Sequence, residues 1–184
     1  MQSFVFSLCF LFLGDIGKVT SVRDGNTIVV HVRKFESTIT LNLIDAPDEG
    51  QPFFEKSKSA LTGLVQNKYV HFTKNSEVSL NDISINEWMV EQGLAWYNGN
   101  DKNSKFFELQ EKAKKLKKGI WIEKDLESPW DYRNRIKNEQ ELKAKETENK
   151  NVDLPKDPIN NHFVGPRGGV YHYSKSGKKV YDKK

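Results

Sequence analysis

Hydrophobic and polar positions change rhythm midway along this chain. From Gly17 to Val22 and again from Thr27 to Val32 the residues are β-prone, and Asp24-Gly25-Asn26 between them reads as a turn. Thr38-Ile39-Thr40-Leu41-Asn42-Leu43 alternates with period two, which predicts a strand over Ser37–Ile44 with one buried face. Asp45-Ala46-Pro47-Asp48-Glu49-Gly50 ends it. Apolar residues at Phe54, Ala60, Leu61, Leu64 and Val65 predict a helix from Phe53 to Val65, followed by a strand over Tyr69–Phe72. Beyond this point the period becomes helical. Ile85, Trp88 and Met89 form one stripe that stops near Gly93, and Phe106, Phe107, Leu109, Ala113 and Leu116 form a second that stops at Gly119. Strands first and helices after predict an α+β domain, a small barrel with helices packed around it.

The two ends break the pattern. Residues 4–13 are apolar or small, too few for the roughly 18–20 residues that span a bilayer. Their length fits the apolar region of a secretory signal peptide over residues 1–14, although no Lys or Arg precedes them and no small-x-small cleavage site follows. A buried first strand or a misplaced start are the competing readings. The signal reading places the protein in the periplasm or outside the cell, the others in the cytoplasm. Residues 15–135 form the main domain, and 136–161 alternate charges with almost no apolar residues, a charged linker or helix extension. In 162–184, Val170–Tyr173 and Lys178–Tyr181 flank a Gly-containing turn and predict a basic hairpin.

Composition narrows the function. The 184 residues are 36% hydrophobic, 11% aromatic and 29% charged, enough to build a core and too much for full-length disorder. Cys9 is the single cysteine, which excludes a disulfide framework and a cysteine-based zinc site. The net charge of +4 permits nucleic-acid partners without requiring them. The helix ending at Gly119 carries Lys112 and Lys115 among its outward lysines, and the tail interleaves Arg167, Lys178 and Lys179 with Tyr171, a pattern that suits phosphate contact plus base stacking. A solvated basic face explains the same residues. His31 and His71 read as strand residues, and no metal-ligand spacing joins His162 to His172 in the tail.

Five motifs occur in order. They are Asp24-Gly25-Asn26-Thr27; Leu41-x-Leu43-Ile44-Asp45-Ala46-Pro47-Asp48; Ile85-Asn86-Glu87-Trp88-Met89 leading to Gly93-Leu94-Ala95-Trp96; Gly119-Ile120-Trp121; and Ser128-Pro129-Trp130-Asp131-Tyr132-Arg133. With them, residues 17 to about 133 resemble the thermonuclease (staphylococcal nuclease-like) family. The tail's Gly-Pro-Arg-Gly-Gly segment looks like a small basic module appended to some bacterial and viral nucleases. The resemblance implies a five-stranded OB-type barrel with about three helices, and cleavage of DNA or RNA with one Ca²⁺. In that family two aspartates hold the metal, a glutamate stands beside the attacking water and two arginines bind the phosphate.

Carried onto this chain, the resemblance implies Asp45 and the Ala46 carbonyl as metal ligands. Asn26 stands where the family has a second metal aspartate, so the site loses a negative charge. Asp48 takes the glutamate's place, one methylene shorter, with Glu49 beside it. The first arginine position holds Thr40, and the second arginine has gone with a shortened loop between Phe72 and Asp82. Such arginines are each worth about 10³–10⁵ in rate in phosphoryl transfer. Arg33, Arg23, Lys34 and Lys74 are candidate substitutes, with Arg33 favoured for its strand near Asn26. Three functions follow. The first is a monomeric nucleic-acid-binding pseudoenzyme that prefers single strands, binds Ca²⁺ weakly and cleaves little or not at all. The second is an exported metal-dependent endonuclease, and the third a protein-interaction scaffold.

Overall fold

The computed structural model describes residues 14–150, 162–165 and 169–182. The expected signal segment, the second half of the charged stretch and Arg167 lie outside the described residues. Two compact units divide the chain, Met1–Arg135 and Ile136–Lys184. Among the described residues no helix is long and apolar enough to cross a membrane.

The first unit is built on β1 (Asp15–Val22), β2 (Thr27–Val32) and β3 (Phe35–Thr40), an antiparallel meander. A register shift at Thr20 puts a bulge into β1, which bends the strand and strengthens its twist. The predicted strand over Ser37–Ile44 is two pieces. β3 stops at Thr40, Leu43 takes a left-handed φ of 62°, and β4 (Ile44–Asp45) follows. This kink turns the chain off the sheet and starts the corner that carries Asp45 to Asp48. α1 (Phe54–Val65) buries Ser57, Leu61 and Val65.

β5 (Tyr69–Phe72) pairs with β1, and a short meander through β6 (Val78–Leu80) and β7 (Ile83–Ser84) completes a six-stranded antiparallel sheet in the order β3-β2-β1-β5-β6-β7. α2 (Ile85–Glu91) follows directly, capped by Ser84 Oγ accepting from the Glu87 N–H. Gly93 then takes a φ of 65°, where an added Cβ would lie 2.2 Å from the Lys118 carbonyl oxygen; this is the expected helix stop. β8 (Trp96–Tyr97) pairs with β4. α3 (Lys105–Lys115) is capped by Ser104, a 3₁₀ turn covers Gly119–Ile122, and α4 runs Pro129–Lys150. The fold is therefore α+β as expected, and among the described residues the main sheet has six strands instead of five, with four α-helices instead of about three.

The core joins Val19, Ile28, Val30, Val70 and Val78 of the sheet to Leu61 and Val65 of α1 and to Ile85, Met89 and Val90 of α2. One buried polar residue organises the rim beside it. Asn86 is wholly buried; its Oδ1 accepts from the Val78 N–H, and its Nδ2 donates to the Asn42 and Ser76 carbonyls. It ties the Leu41–Leu43 kink to the β5–β6 turn. A buried amide with all three partners in place rigidifies a corner that apolar packing would leave soft.

In the second unit, β9 (Phe163–Val164), β10 (Val170–Tyr173) and β11 (Lys179–Tyr181) form an antiparallel sheet in the order β11-β10-β9. The predicted hairpin is β10–β11. β9, only two residues long, gave no periodic signal.

Candidate functional site

Three local devices bring distant residues to one cleft. At the first, Gly25 sits where a Cβ would lie 2.6 Å from Ala46 Cβ and 2.7 Å from Ser57 Cβ. Only glycine lets the Asp24–Asn26 turn press onto the Asp45-Ala46 corner and α1. There the Asp24 carboxylate accepts from the Asn26 N–H at 2.9 Å, and Asn26 Nδ2 donates to the Ile44 carbonyl at 3.4 Å.

At the second, Gln51 bridges two loops. Its Oε1 accepts from the Asp48 N–H and its Nε2 donates to the Glu127 carbonyl, each at 2.9 Å. This holds the Asp48 turn against the segment that begins α4. The third is the start of α4 itself. Pro129 opens the helix, Ser128 Oγ accepts from the Asp131 N–H, and the same hydroxyl donates to the Asp131 carboxylate. The Tyr132 hydroxyl donates to the Glu49 carbonyl at 3.2 Å. Arg133, one turn into the helix, is thereby aimed at the carboxylates.

The result is a cleft of about 400 Å³ lined by Asp24, Asn26, Thr40, Asp45, Asp48, Asn98 and Arg133, among others. Arg133 spans its acidic wall. Nη2 lies 2.6 Å from Asp45 Oδ2, and Nη1 lies 2.8 Å from Asp48 Oδ2 and 3.4 Å from Asp45 Oδ1. The Asp45 side chain is 12% exposed and that of Arg133 50%. The hydrogen bond that Arg133 donates to Asp45, with the charges of Asp45 and Asp48, raises the Arg133 pKa above its ordinary value. The Asp48 carboxyl is also held above its ordinary range. Burial is the main cause, Arg133 opposes it, and the charges of Asp45 and Asp24 add to it. The guanidinium thus sits tightest on Asp45, while Asp48 is the crowded partner. A wider groove of about 680 Å³ runs along Glu49, Phe53, Phe54 and Glu123. The carboxylates and the arginine converge in the smaller cleft, so the chemistry is placed there.

The structure brings Asn26, Thr40, Asp45 and Asp48 into the lining of the cleft, while Ala46 is buried next to Asp45 and is not among the residues that line it. Glu49 is exposed and faces the wider groove. Arg33 corrects an expectation. It lies in the β2–β3 turn with a φ of 56°, at the far end of β2 from Asn26. Seven residues of extended chain span about 23 Å, so this arginine does not reach the carboxylates. Lys34 shares that turn, Lys74 sits in the β5–β6 turn, and Arg23 is exposed outside the lining. Among the described residues that line the cleft, the one cation is Arg133. Sequence reasoning recorded it only as part of the closing motif, because 88 residues separate it from Asp45 and no local pattern joins them. Asn98 was missed as a lining residue for the same reason, and Asp24, beside Asn26, was read only as part of a turn.

The predicted nucleic-acid contacts divide. Lys112 is paired with Glu91 at 3.0 Å, and Lys115 is exposed on α3. On the C-terminal sheet, Lys179 Nζ stands 3.9 Å over the Tyr171 ring, and Lys178 is exposed in the turn.

A family model described as "Staphylococcal nuclease homologue" matches residues 38–123. An "Uncharacterized endonuclease" of Escherichia coli is 32% identical over 143 residues, covering 72% of this chain and 94% of the relative. A "Micrococcal nuclease" of Shigella flexneri is 27% identical over 145 residues, covering 66% and 82%. A "Probable staphylococcal-like nuclease CAN3" of rice is 29% identical over 126 residues, covering 63% of this chain and 32% of that protein.

Proposed function

The chain belongs to the staphylococcal nuclease homologue family, and from that premise we propose that it binds DNA or RNA through a nuclease fold whose hydrolytic centre is neutralised from within. The observation that carries this reading is the Arg133 clamp on Asp45 and Asp48. These two carboxylates, with the Asn26 amide oxygen and the Ala46 carbonyl, are the groups that would hold Ca²⁺. The donor set fits a hard cation because every donor is oxygen and three carboxylates crowd one wall. When bound, such an ion activates water and offsets charge on a phosphoryl group.

This chain's own residues work against that use. Arg133 already occupies the oxygens that a cation needs. Asn26 contributes no charge. Thr40 lines the cleft at the position where the family places a phosphate-binding arginine, and it can donate one neutral hydrogen bond. The β5–β6 connection is a tight turn, closed by Thr73 N–H to the Glu77 carbonyl at 3.0 Å, with no arginine in it. What is left suits binding more than turnover. The exposed Lys115 and Lys117 and the half-buried Lys118 offer phosphate contacts, and the tail adds Lys178 and Lys179 beside its tyrosines.

The test is fluorescence anisotropy with single-stranded DNA and RNA across a salt series, run beside a cleavage assay with Ca²⁺ or chelator. Binding that weakens steeply with salt, without calcium-stimulated cleavage, is the expected result. Absent or salt-independent binding overturns it. One observation favours a second reading, a metal-dependent endonuclease: Arg133 is a guanidinium inside the cleft, free to turn to a phosphate once a cation holds the carboxylates. Calcium-dependent cleavage lost in Asp45→Ala selects that reading.

A further inference from the structure

The C-terminal sheet has two unlike faces, and its register defines both. β9 and β10 pair Val164 with Val170 and Phe163 with Tyr171, so the next position sets His162 opposite His172. β10 and β11 pair His172 with Val180, and the Asp182 N–H donates to the Val170 carbonyl at 2.9 Å, which sets Asp182 opposite Val170. Side chains alternate along a strand. His162, His172 and Asp182 therefore share one face with the three valines, while Phe163, Tyr171, Tyr173 and Tyr181 share the other. The aromatic face is consistent with this, since its ring centroids lie 5.5–5.9 Å apart.

On the polar face three donors converge. His172 Nδ1 lies 2.9 Å from Asp182 Oδ1, and His162 Nε2 lies 3.5 Å from Asp182 Oδ2. The imidazole centroids are 5.6 Å apart, and one ligand atom from each residue falls within 4.8 Å of the others. Asp182 Oδ2 is shielded from solvent yet accepts no hydrogen bond from the described residues. A shielded carboxylate oxygen without a hydrogen bond is unfavourable, and this carboxylate faces two imidazoles, which are good metal ligands when neutral. Sequence spacing gave no hint of this because the ligands come from the residue before β9, from β10 and from the residue after β11, and only the register brings them together.

We propose that His162, His172 and Asp182 form a binding site for a zinc-class divalent metal that staples the C-terminal sheet. Two imidazole nitrogens and one carboxylate oxygen suit Zn²⁺ or Co²⁺, in contrast to the all-oxygen cleft of the first unit. Tetrahedral coordination with bonds of about 2.0–2.1 Å sets donor atoms roughly 3.3 Å apart; one ligand atom from each residue already falls within 4.8 Å of the others, so a metal would draw the three side chains together. Three protein ligands leave a fourth position for water. The sheet has a use for such a link. Val164, Val170, Val180 and Tyr181 are exposed, so apolar burial gives these short strands little to hold them. A metal bound by the folded arrangement and not by the open one adds its binding free energy to the fold.

The experiment uses the full chain carrying Asp45→Asn, which weakens the carboxylate cleft as a competing metal site. Co²⁺ is titrated while its visible d–d absorption is recorded, and Zn²⁺ is then added in competition. One equivalent should bind with the intense spectrum of a four-coordinate ion, and His172→Ala or Asp182→Asn should weaken binding by at least about a hundredfold, because loss of an outer-shell partner alone costs a metal site about 10–100-fold and these residues are ligands. In parallel, the histidine ring protons are followed by NMR as Zn²⁺ is added. His162 and His172 should shift, and His31 and His71, strand residues of the other unit, should not. These signals report even if a variant loosens the sheet. No four-coordinate spectrum, equal binding by the variants, or no shift at His162 and His172 overturns the proposal. None of these results bears on the Arg133 clamp, so the two readings fail separately.

Discussion

Replacing Arg133 by Gln tests the self-neutralised cleft directly, because it removes the charge while keeping much of the side chain. Two opposing effects follow. Without calcium, Asp45 loses a partner at 2.6 Å while its side chain stays 12% exposed, and Asp48 loses one at 2.8 Å. Removing one partner of a deeply buried pair costs about 3–5 kcal/mol, whereas exposed pairs are worth at most about 1 kcal/mol. With the Arg133 side chain 50% exposed, a loss of about 1–2 kcal/mol is expected. For a domain of this size that lowers Tm by roughly 3–10 °C. With calcium the sign reverses. The clamp no longer has to be displaced, so the same 1–2 kcal/mol returns as about five- to thirty-fold tighter Ca²⁺ binding. Isothermal titration and thermal melts in chelator and in millimolar Ca²⁺ read both effects. The variant should melt lower than the native chain in chelator and gain more from calcium. Unchanged calcium affinity, or a variant that binds calcium more weakly, would refute the reasoning, since Arg133 would then be holding the site open and not closed.

Two further outcomes test the packing of the main unit. Gly25→Ala places a Cβ within 2.7 Å of both Ala46 and Ser57 and should cost about 1–3 kcal/mol by overpacking, seen as a lower denaturant midpoint with an unchanged m-value. The Glu91 carboxyl is held below its ordinary 4.5, chiefly by its hydrogen bond to Lys112. Its folded pKa lies below the unfolded one, so its stabilisation is present above about 4.5 and is lost as pH falls through the folded value. Lys112→Met should therefore be slightly less stable than the native chain at pH 7, with the difference vanishing by urea titration as pH falls through the folded value.

What the sequence made legible was local. The hairpin turn at Asp24-Gly25-Asn26, the α1 stripe and the stops at Gly93 and Gly119 follow from periodicity and from residues that tolerate a left-handed backbone. The shortened β5–β6 connection was readable as well. What was not legible depended on tertiary placement. The Ser37–Ile44 alternation runs unbroken in sequence, yet the chain kinks at Leu43 because the Leu41 N–H donates to the Asn26 carbonyl and the Asn42 N–H to that of Ser76. Arg33 looked close to Asn26 because both flank one strand. They flank it at opposite ends.

The two cation chemistries show how such errors arise and how the fold resolves them. In the main unit the carboxylates are close in sequence and their cation is remote, so a motif reading found the acids and looked for the base in the wrong hairpin. Gln51 and the α4 cap decide the matter. They anchor the Asp48 turn to the start of the helix, and the first turn of that helix delivers Arg133. In the C-terminal unit His162 and His172 are ten residues apart, a separation that means nothing along a chain. It becomes direct opposition once Val164 pairs with Val170. In both places the ligand set is fixed by a backbone device, a capped helix start in one and a strand register in the other. Substitutions in those devices should therefore disturb cation binding without touching a charged group. Ser128→Ala removes the hydroxyl that caps α4 and binds Asp131, and by this argument it should loosen the Arg133 clamp and tighten Ca²⁺ binding in the same direction as Arg133→Gln, by a smaller factor.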